Sequence, residues 1–574
     1  MTRQTMGRGP AAAASADGFA RRALVTGTAL ALAAACLAAP RAAWSAPPAP
    51  QSFDILIKGG HIIDGTGNPW YAGDVGIRDG RIAGLGELPG ATAKRVIDAT
   101  GKVVTPGYID LHTHTDMSIL ADPLAQSKVR QGVTLDVIGE SQSVAPRDGL
   151  PQTRESGPQP DWTTFTGYFD RLKRQGASMN IISHAAFEQI RLAATGYGAG
   201  ATTPAQLERM KMLMARSMEE GAWGMVLRFE SGGPRYPEEV IELAKTVHQY
   251  GGNVTAHIGS EGFEQDQELD FMFRMARETK VPIHIFHYKI RGEVNWPKQQ
   301  HYIDRINAAR AEGIDVTVNQ YPYTAMNHGW NVFFPVWARE KGPEAFAKML
   351  KDPKTVKKIK ADPDFRDWVI EHGGWQGIVL ARTTVERQKK YEGMRLAEIA
   401  KLEGDADPAD TCLKLMAEAE GRIGGIFHTM SEDNVRLVMK QPWVAISSDA
   451  GAINTEEPGF PHPRAFGTNV KVLGYYVRDT NVLTLEDAVR KMSGLPAQIL
   501  GLQDRGLLRQ GQWADVVVVD PATVKDTATF EKPKSYAVGV PYVVVNGVLV
   551  IDNGQHTGAK PGLPLYGRGT ATPH

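Results

Sequence analysis

The sequence predicts an α/β fold, a (β/α)8 TIM barrel, and three observations indicate it. Eight short apolar segments alternate with helix-like stretches through the middle of the chain, which is the strand count of such a barrel. β-rich segments stand on both sides of this alternation, and histidines and carboxylates stand where several of the apolar segments end. A doubly wound open sheet is the structural alternative, and the strand ends distinguish the two.

The predicted strands are short and mostly apolar. They span residues 107–112, 133–138, 179–183, 223–228, 253–257, 282–287, 314–319 and 443–448. Between them, the capping box of Thr203 and Gln206, with Pro204 at the first helical position, predicts a helix over 204–220. Further helices are predicted over 237–250 and near 484–500. This alternation defines a barrel domain over residues 105–500.

Two β-rich segments, 53–104 and 501–560, stand at opposite ends of the barrel domain. Asp79-Gly80 in the first and Asn546-Gly547 in the second predict tight hairpins. Because each segment is too small to close a core alone, we predict that the two pack together as one small β-sandwich.

The alternation is interrupted between the seventh and eighth predicted strands, at about 324–442. This stretch of about 120 residues contains aromatic residues, a lysine-rich helix-like segment and several prolines. A long insertion at the active face of a barrel is often a lid or subdomain, so we predict a lid-like role. A solvated surface decoration is the alternative.

The N-terminus predicts export from the cytoplasm. Residues 1–46 contain a basic start with Arg21-Arg22, an apolar alanine-rich run and small residues near a possible cleavage point, which resembles a twin-arginine signal peptide. We expect a periplasmic or secreted protein; an ordinary secretory signal or a retained anchor are the alternatives. Signal removal would leave Cys412 as the only cysteine, which excludes an intramolecular disulfide and thiolate zinc ligands.

The overall charge limits the kinds of partner. Lys+Arg and Asp+Glu both number 64, so the formal net charge is zero. This argues against nucleic acid or an acidic membrane surface as the main partner. We expect no stable membrane association after signal removal, and the sequence leaves the oligomeric state open.

Six potential metal ligands stand at the ends of the predicted strands or just after them. On a strand, residues i and i+2 point the same way, so His112 and His114 direct two imidazoles at one point. The carboxyl ends of barrel strands meet at one face, where these ligands would surround one cavity that can hold two divalent metals with one bridging carboxylate. The full set is His112, His114, Glu140, His257, His287 and Asp449. His184 and His284 also lie near strand ends; the first is an open case, and the second is expected to be structural.

This order of ligands resembles the metal-dependent amidohydrolase superfamily and, within it, the N-acyl-D-amino-acid amidohydrolases (D-aminoacylases). The resemblance covers roughly residues 53–560. The stretches that carry it include Pro106-Gly107-Tyr108-Ile109-Asp110-Leu111-His112, His287-Tyr288-Lys289, Gln320-Tyr321-Pro322-Tyr323, Ser448-Asp449 and His462-Pro463-Arg464.

The resemblance implies a divalent metal, expected to be zinc, with one or two ions per chain. It places His112 and His114 on one metal and His257 and His287 on the other, with Asp449 as a weak ligand and the catalytic base. It also implies that the substrate carboxylate is bound by Lys289, Tyr321 and Arg464.

The sequence departs from the D-aminoacylases at two places. The family typically has a bridging Cys in Gly-Asn-Cys-Gly after the second strand, where this chain has Glu140, and the fourth strand lacks the lysine that bridges in other superfamily members. We therefore expect Glu140 to bridge; the alternative is a single metal with Glu140 outside its ligand shell. After the fourth strand, the chain has Leu227-Arg228-Phe229-Glu230-Ser231-Gly232-Gly233-Pro234 in place of a Ser-Thr-Gly-Leu-Tyr-Pro-Pro-like stretch, so we expect a different wall of the substrate pocket and substrate specificity does not transfer.

The function implied by the resemblance is that of an exported metal-dependent amidohydrolase. It would cleave N-acyl-D-amino acids to a carboxylate and a free amino acid. Two alternatives stay open at this point: a hydrolase of the same fold acting on a cyclic amide, a dipeptide or an aryl amide, and a non-catalytic binding protein built on the same barrel.

Overall fold

The computed structural model describes residues 51–140, 143–150, 158–196, 200–229, 232–339 and 342–570. The predicted signal segment, 1–46, lies outside the described residues, so export stays a prediction. Residues 141–142 and 230–231, which belong to the two stretches where the sequence departs from the D-aminoacylases, also lie outside them. Within the described ranges, no helix is both long enough and apolar enough to cross a membrane.

The described part of the chain begins with a β-rich segment that contains five strands. They are β1 (Ser52–Ile62), β2 (Tyr71–Arg78), β3 (Arg81–Gly86), β4 (Thr92–Asp98) and β5 (Val103–Pro106). The predicted hairpin at Asp79-Gly80 is confirmed, since Arg78 pairs with Arg81 and both turn residues have positive φ, 52° and 75°. The turn therefore has the left-handed backbone that suits these residue types.

The central part of the chain is a TIM-barrel-type α/β fold, in which every predicted strand has a counterpart. The strands are β6 (Tyr108–Asp110), β7 (Val133–Ile138), β8 (Asn180–Ser183), β9 (Ala185–Ala186), β10 (Gly224–Arg228), β11 (Asn253–His257), β12 (Ile283–Ile285) and β13 (Val316–Gln320), followed after the insertion by the last barrel strand. β6, β7 and β8 pair in parallel. The strands from β9 to β13 are also parallel, and each pairs with the next one in chain order.

Helices follow most of the barrel strands and cover the outside of the sheet. They are Ser118–Ala121, Gln126–Val129, Phe165–Gln175, Phe187–Thr195, Pro204–Glu219, Pro237–Gln249, Gln265–Thr279, Gln299–Ala311, Glu432–Met439, Arg464–Lys471, Leu485–Met492 and Gly494–Leu500, with a 3-10 turn at Glu293–Lys298 and a π-helix at Val472–Asp479. The predicted capping box of Thr203 and Gln206 is confirmed at the start of Pro204–Glu219. The helix predicted near 484–500 is divided at Ser493.

The insertion has its own sheet and its own apolar core. Its strands β14 (Ala325–Gly329), β15 (Ile378–Thr383) and β16 (Ile423–His428) form an antiparallel sheet with β16 in the middle. Its helices are Val336–Arg339, Pro343–Met349, Pro353–Ala361, Pro363–Glu371, Gly374–Gly377, Leu396–Glu403 and Pro408–Glu418, with 3-10 turns at Trp330–Phe333 and Glu386–Tyr391. The core includes the buried Trp330, Phe333 and Phe427.

One buried ion pair attaches the insertion to the barrel. The Glu371 carboxylate lies 3.1 Å from the Arg291 guanidinium and accepts a hydrogen bond from the Phe263 N–H at 3.0 Å. Because Phe263 follows β11 and Arg291 follows β12, the insertion contacts the carboxyl-end loops of the barrel. A lid-like motion stays a prediction.

The last barrel strand, β17 (Val444–Ile446), lies beside β13. The residues that follow it reach the first barrel strand: the Asp449 N–H donates to the His112 carbonyl at 3.0 Å. The Ser448 N–H donates to the Asp110 side chain, also at 3.0 Å. These hydrogen bonds bring the carboxyl ends of β17 and β6 together.

The C-terminal segment joins the N-terminal segment in one sheet. Its strands are β18 (Val516–Val519), β19 (Tyr542–Val545), β20 (Val548–Asp552) and β21 (Gln555–His556), and the predicted hairpin at Asn546-Gly547 is confirmed. The sheet order is β21-β20-β19-β18-β5-β1-β2-β3, with β4 on β1.

This continuous sheet differs from the two facing sheets of the predicted β-sandwich. β5 pairs with β18 on one side and with β1 on the other, so backbone hydrogen bonds link the two segments directly. An isolated β-bridge between Arg81, at the start of the edge strand β3, and Trp513 brings this edge of the sheet back toward the C-terminal strands. The sheet thereby surrounds an apolar core that includes Ile57, Val75 and Val516.

Candidate metal centre

The structure brings the six predicted ligands together in two groups that share Glu140. Within each group, the potential ligand atoms all lie within 4.8 Å of one another. One group contains His112, His114, Glu140 and Asp449, and the other contains Glu140, His257 and His287. The pairing of the histidines is the one that the resemblance implies.

The strand ends position these side chains. His112 and His114 follow β6, Glu140 follows β7, and His257 is the last residue of β11. Asp449 and His287 lie just beyond β17 and β12 and have positive φ values, 52° and 36°. The chain therefore turns at both ligands, which directs their side chains into the opening of the barrel.

Direct contacts join the two groups through the Glu140 carboxylate. One oxygen, Oε2, contacts His112 Nε2 and lies 3.3 Å from His114 Nε2, while Oε1 lies 2.7 Å from His257 Nδ1. Asp449 Oδ1 lies 3.0 Å from His114 Nε2. Each Glu140 oxygen thus belongs to a different group, which is the arrangement that a bridging carboxylate requires.

The donor atoms fit a divalent metal. His287 Nε2 lies 2.9 Å from His257 Nδ1, so two ring nitrogens face each other beside the carboxylate instead of facing apolar side chains. Imidazole nitrogens and carboxylate oxygens that converge in this way are the ligands typical of zinc. In the first group, the Asp449 carboxylate adds a fourth donor.

The two carboxylates are held in the ionised form. Burial alone would raise the pKa of Glu140, but the imidazoles of His112, His114 and His257 outweigh it and hold the pKa well below its ordinary value. For Asp449, burial is outweighed mainly by the Arg464 guanidinium, which keeps this pKa well below its usual range. Both carboxylates are therefore available as ionised ligands for a cation.

His287 is kept neutral and oriented by its neighbours. Burial, followed by the nearby Lys289 ammonium, lowers the pKa of His287 to about 3. Its Nδ1 lies 2.7 Å from Glu261 Oε1, and its backbone N–H donates to Asn319 Oδ1 at 2.7 Å. Nδ1 also lies 2.9 Å from the Lys289 ammonium, so this ring nitrogen is engaged by Glu261 and Lys289, and Nε2 is left directed at the site.

Glu261 was not among the predicted site residues. It follows β11, four residues after His257, in a loop whose path depends on tertiary contacts. A buried carboxylate beside a ligand histidine is a common arrangement around metal sites. The only sign of Glu261 in the sequence was therefore an acidic residue near a predicted ligand, and this pattern is too common to identify a site residue.

The three predicted substrate-binding residues lie together beside Asp449. The Arg464 guanidinium donates to Asp449 Oδ2 at 2.7 Å and lies 4.7 Å from the centre of the Tyr321 ring. The Lys289 ammonium lies 5.4 Å from the same ring centre and contacts Glu261. Each cation is thus already paired with a buried carboxylate, an arrangement that the sequence did not indicate.

His184 and His284, the two further histidines near strand ends, have other partners. His184 Nε2 lies 2.9 Å from Asn253 Oδ1. His284 Nδ1 lies 2.8 Å from Thr317 Oγ1, and the side-chain amide of Asn319 donates to its Nε2 at 2.9 Å. Burial lowers the pKa of both, to about 4 for His184 and about 3 for His284. Both belong to the structural support of the strands, as expected for His284.

One side of the ligand group faces the opening. The side chains of His114 and His257 are 44% and 28% exposed, whereas that of His112 is completely buried and that of His287 is 3% exposed. A substrate therefore has access beside His114 and His257.

These features define a metal-dependent hydrolase site on a TIM-barrel-type fold, and the comparisons specify the class. The chain belongs to the amidohydrolase family, whose profile matches residues 95–310 and 374–551. It is 32% identical over 507 residues to an N-acyl-D-glutamate deacylase of Alcaligenes xylosoxydans xylosoxydans, covering 87% of this chain and 94% of that protein.

Solved structures agree with this assignment. An N-acyl-D-glutamate deacylase of Bordetella bronchiseptica, complexed with zinc and a phosphonate that mimics the tetrahedral intermediate, is 30% identical with a TM-score of 0.75, over 90% of this chain and all of that one. A D-aminoacylase described as having a binuclear metal center is also 30% identical, with a TM-score of 0.73 and the same coverage. The chain is a metal-dependent amidohydrolase that acts on linear amide bonds.

Proposed function

We propose that this protein is an exported, zinc-dependent hydrolase that cleaves N-acyl-D-amino acids to a carboxylate and a free amino acid. The observation that carries the proposal is the pair of ligand groups that share Glu140. The similar N-acyl-D-glutamate deacylase and D-aminoacylase support the substrate class.

In this proposal, His112, His114 and Asp449 would hold one cation, His257 and His287 would hold a second, and Glu140 would offer an oxygen to each group. A bound divalent cation supplies a nucleophilic oxygen at neutral pH and polarises the amide carbonyl. If a single ion is bound, one of these two groups would hold it, with Glu140 among its ligands.

Asp449 is proposed to carry the proton during amide cleavage. The Arg464 guanidinium keeps it ionised, so it can accept a proton, and its Oδ1 lies beside His114 at the exposed side of the group. The same carboxyl can then protonate the amine, because an amide nitrogen is a very poor leaving group unless it is protonated.

Arg464, Lys289 and Tyr321 are proposed to bind the α-carboxylate of the substrate. They form one cluster beside Asp449. Arg464 has five N–H donors, and one hydrogen bond to Asp449 leaves others for a substrate carboxylate. Binding at this point would place the scissile amide over the ligand group.

The remaining parts of the proposal concern architecture and location. The hydrogen bond between Asp449 N–H and the His112 carbonyl supports closure of an eight-stranded barrel between β17 and β6. The ion pair of Arg291 and Glu371 supports an insertion that covers the active face. The basic and apolar segment over residues 1–46 supports export, with the twin-arginine route as the specific form.

The experiment that tests the function is a hydrolysis screen with added zinc. N-acetyl-D- and N-acetyl-L-amino acids are compared with a cyclic amide, a dipeptide and an aryl amide, and release of the free amine is measured. We expect turnover of the N-acetyl-D-amino acids. Turnover confined to the other amides would support the alternative hydrolase, and no turnover by the zinc-loaded protein would support a binding protein.

The role of Arg464 needs two variants, because its guanidinium also contacts the proposed base. Arg464→Ala is expected to reduce kcat and raise KM together, since Asp449 loses its partner. Tyr321→Phe leaves that ion pair in place and is expected to change mainly KM for carboxylate-bearing substrates. Equal effects of Arg464→Ala on a neutral amide and on an N-acyl amino acid would contradict carboxylate binding.

A further inference from the structure

Arg228 is the last residue of strand β10, and alternation along this strand assigns it to the inner face, at the opening of the barrel. Along this strand, Leu227 packs in the apolar core beneath the helices, whereas Val226 packs against Phe286. The Phe286 ring stacks on the His112 imidazole with the ring centres 4.0 Å apart, so this face of β10 is the inner one. Alternation along the strand places Arg228 on the same side as Val226, two residues nearer the opening.

Arg228 lies level with one of the metal-ligand candidates. β10 and β11 are parallel, and Arg228 is paired with His257 in their register. Neighbouring strands lie about 4.8 Å apart, so the two side chains leave the sheet side by side. Arg228 is exposed, and the His257 side chain is one of the two ligands with access to solvent.

The Arg228 guanidinium has no hydrogen-bond or ion-pair partner in the part of the chain that the structure describes. Its backbone N–H donates to Glu188 Oε1 at 3.0 Å, and burial raises the pKa of that carboxyl to about 7, which the Arg228 N–H and charge oppose only in part. In contrast, Lys289 and Arg464 contact buried carboxylates. Arg228 therefore has its donors available to an anion in the opening.

Arg228 is also separated from the proposed α-carboxylate cluster. In the sheet that runs β17-β13-β12-β11-β10-β9, β10 is four strands from β17, about 19 Å along the sheet. Arg464 follows β17, and the ligand group lies between the two positions. In an N-acyl amino acid, the scissile carbonyl separates the acyl group from the amino acid. A substrate held by its α-carboxylate near Arg464 therefore directs its acyl group toward Arg228.

We propose that Arg228 binds a second carboxylate of the substrate, which makes the preferred substrate an N-acyl amino acid with two carboxylates. This inference rests on the proposed function of the same site. The position of β10 favours a carboxylate at the free end of a dicarboxylic acyl group, such as succinyl. An acidic amino-acid side chain offers the same chemistry. A guanidinium binds either carboxylate with two parallel N–H donors.

The test compares two pairs of substrates that differ in one carboxylate. N-succinyl-D-methionine is compared with N-acetyl-D-methionine, and N-acetyl-D-glutamate with N-acetyl-D-glutamine, in the zinc-loaded wild type, Arg228→Met and Arg228→Lys. We expect the wild type to prefer the dicarboxylate in at least one pair. Arg228→Met is expected to reduce kcat/KM for that substrate by about 10- to 100-fold, and Arg228→Lys by less. The singly charged substrate should change little.

Arg235→Met is the matched control, because Arg235 is also exposed and lies beyond the end of β10 next to Tyr236. It should leave all four values unchanged. Loss confined to the succinyl pair assigns the carboxylate to the acyl group, and loss confined to the glutamate pair assigns it to the side chain; both support the proposal. A wild type without a dicarboxylate preference, or ratios unchanged in Arg228→Met, would overturn it. Hydrolysis of none of the four substrates would refute the proposed function itself.

Discussion

Lys128 provides the sharpest test of how the fold supports the site. Its side chain is completely buried, and its ammonium lies 2.8 Å from Asp110 Oδ2, 3.4 Å from Asp136 Oδ2 and 2.7 Å from Ser448 Oγ. Burial alone would lower the pKa of Lys128, but the two carboxylates outweigh it and raise this pKa, so the ammonium keeps its charge. Ser448 directly precedes Asp449, which connects this buried ion pair to the metal-ligand group.

Lys128→Met should destabilise the protein strongly. The substitution keeps the apolar volume but leaves two carboxylates buried without their cation, and breaking a buried pair in this way costs about 3–5 kcal/mol. The free energy of unfolding is measured by urea denaturation of the zinc-loaded proteins. Asp136→Asn in the Lys128→Met background should recover part of the loss, because burial already raises the pKa of this carboxyl to about 7 and an amide has no charge to desolvate.

Lys94→Met is the matched control for that experiment. Lys94 makes an ion pair of similar length, 2.7 Å to Asp54, but its side chain is 83% exposed. Solvent screens such a pair, so no measurable change in the urea midpoint is expected. If Lys128→Met shifted the midpoint no more than Lys94→Met, the argument from burial would be refuted.

Three further predictions concern the second layer of the site, a pH-dependent ion pair and strand packing. Glu261→Gln should weaken zinc binding about 10- to 100-fold, because His287 loses its charged partner. The affinity is measured by competition with a chromogenic chelator, and Glu371→Gln, the control, should not change it. Equal zinc affinities of Glu261→Gln and the wild type would contradict the role of Glu261. Lys414, followed by Tyr391, lowers the pKa of Glu403 to about 2. The ionised carboxylate therefore stabilises the fold fully at pH values above its ordinary pKa, and this contribution is lost as the pH falls toward 2. Glu403→Gln should therefore cost about 1 kcal/mol at pH 7 and less at pH 4 in urea denaturation, and a penalty that grew on acidification would exclude this explanation. Gly224→Ala should cost about 1–3 kcal/mol in the same assay, because the new methyl group would overlap the backbone of Asn253 on β11; an unchanged midpoint would show that the strands can separate there.

Local patterns in the sequence were sufficient to locate the barrel strands. The bounds of β7 and β11 agree with the predicted 133–138 and 253–257. The predicted strand 282–287 is shorter in the structure, Ile283–Ile285, because His287 has a positive φ and lies outside the extended region. Apolar alternation indicates where a strand runs, but it does not show where a side-chain contact bends the chain.

Contacts between distant parts of the chain were beyond the reach of the sequence. The pairing of β5 with both β18 and β1 produces one sheet where a sandwich was predicted, because alternation fixes the faces of a strand but not its neighbours. The ion pair of Arg464 with Asp449 and the contact of Glu261 with His287 depend on loop paths. The ligand residues themselves were recognisable because each stands at the end of a predicted strand or just after it.

The two ligands with positive φ show how the site is held in place. A non-glycine residue in this region costs about 1–3 kcal/mol, and the cost must be offset by surrounding contacts. At Asp449, the backbone N–H donates to the His112 carbonyl at 3.0 Å. At His287, it donates to Asn319 Oδ1 at 2.7 Å. In both cases the acceptor belongs to a different barrel strand or its end. The direction of these ligands is therefore set by hydrogen bonds between neighbouring strands, so a change in strand register would displace them.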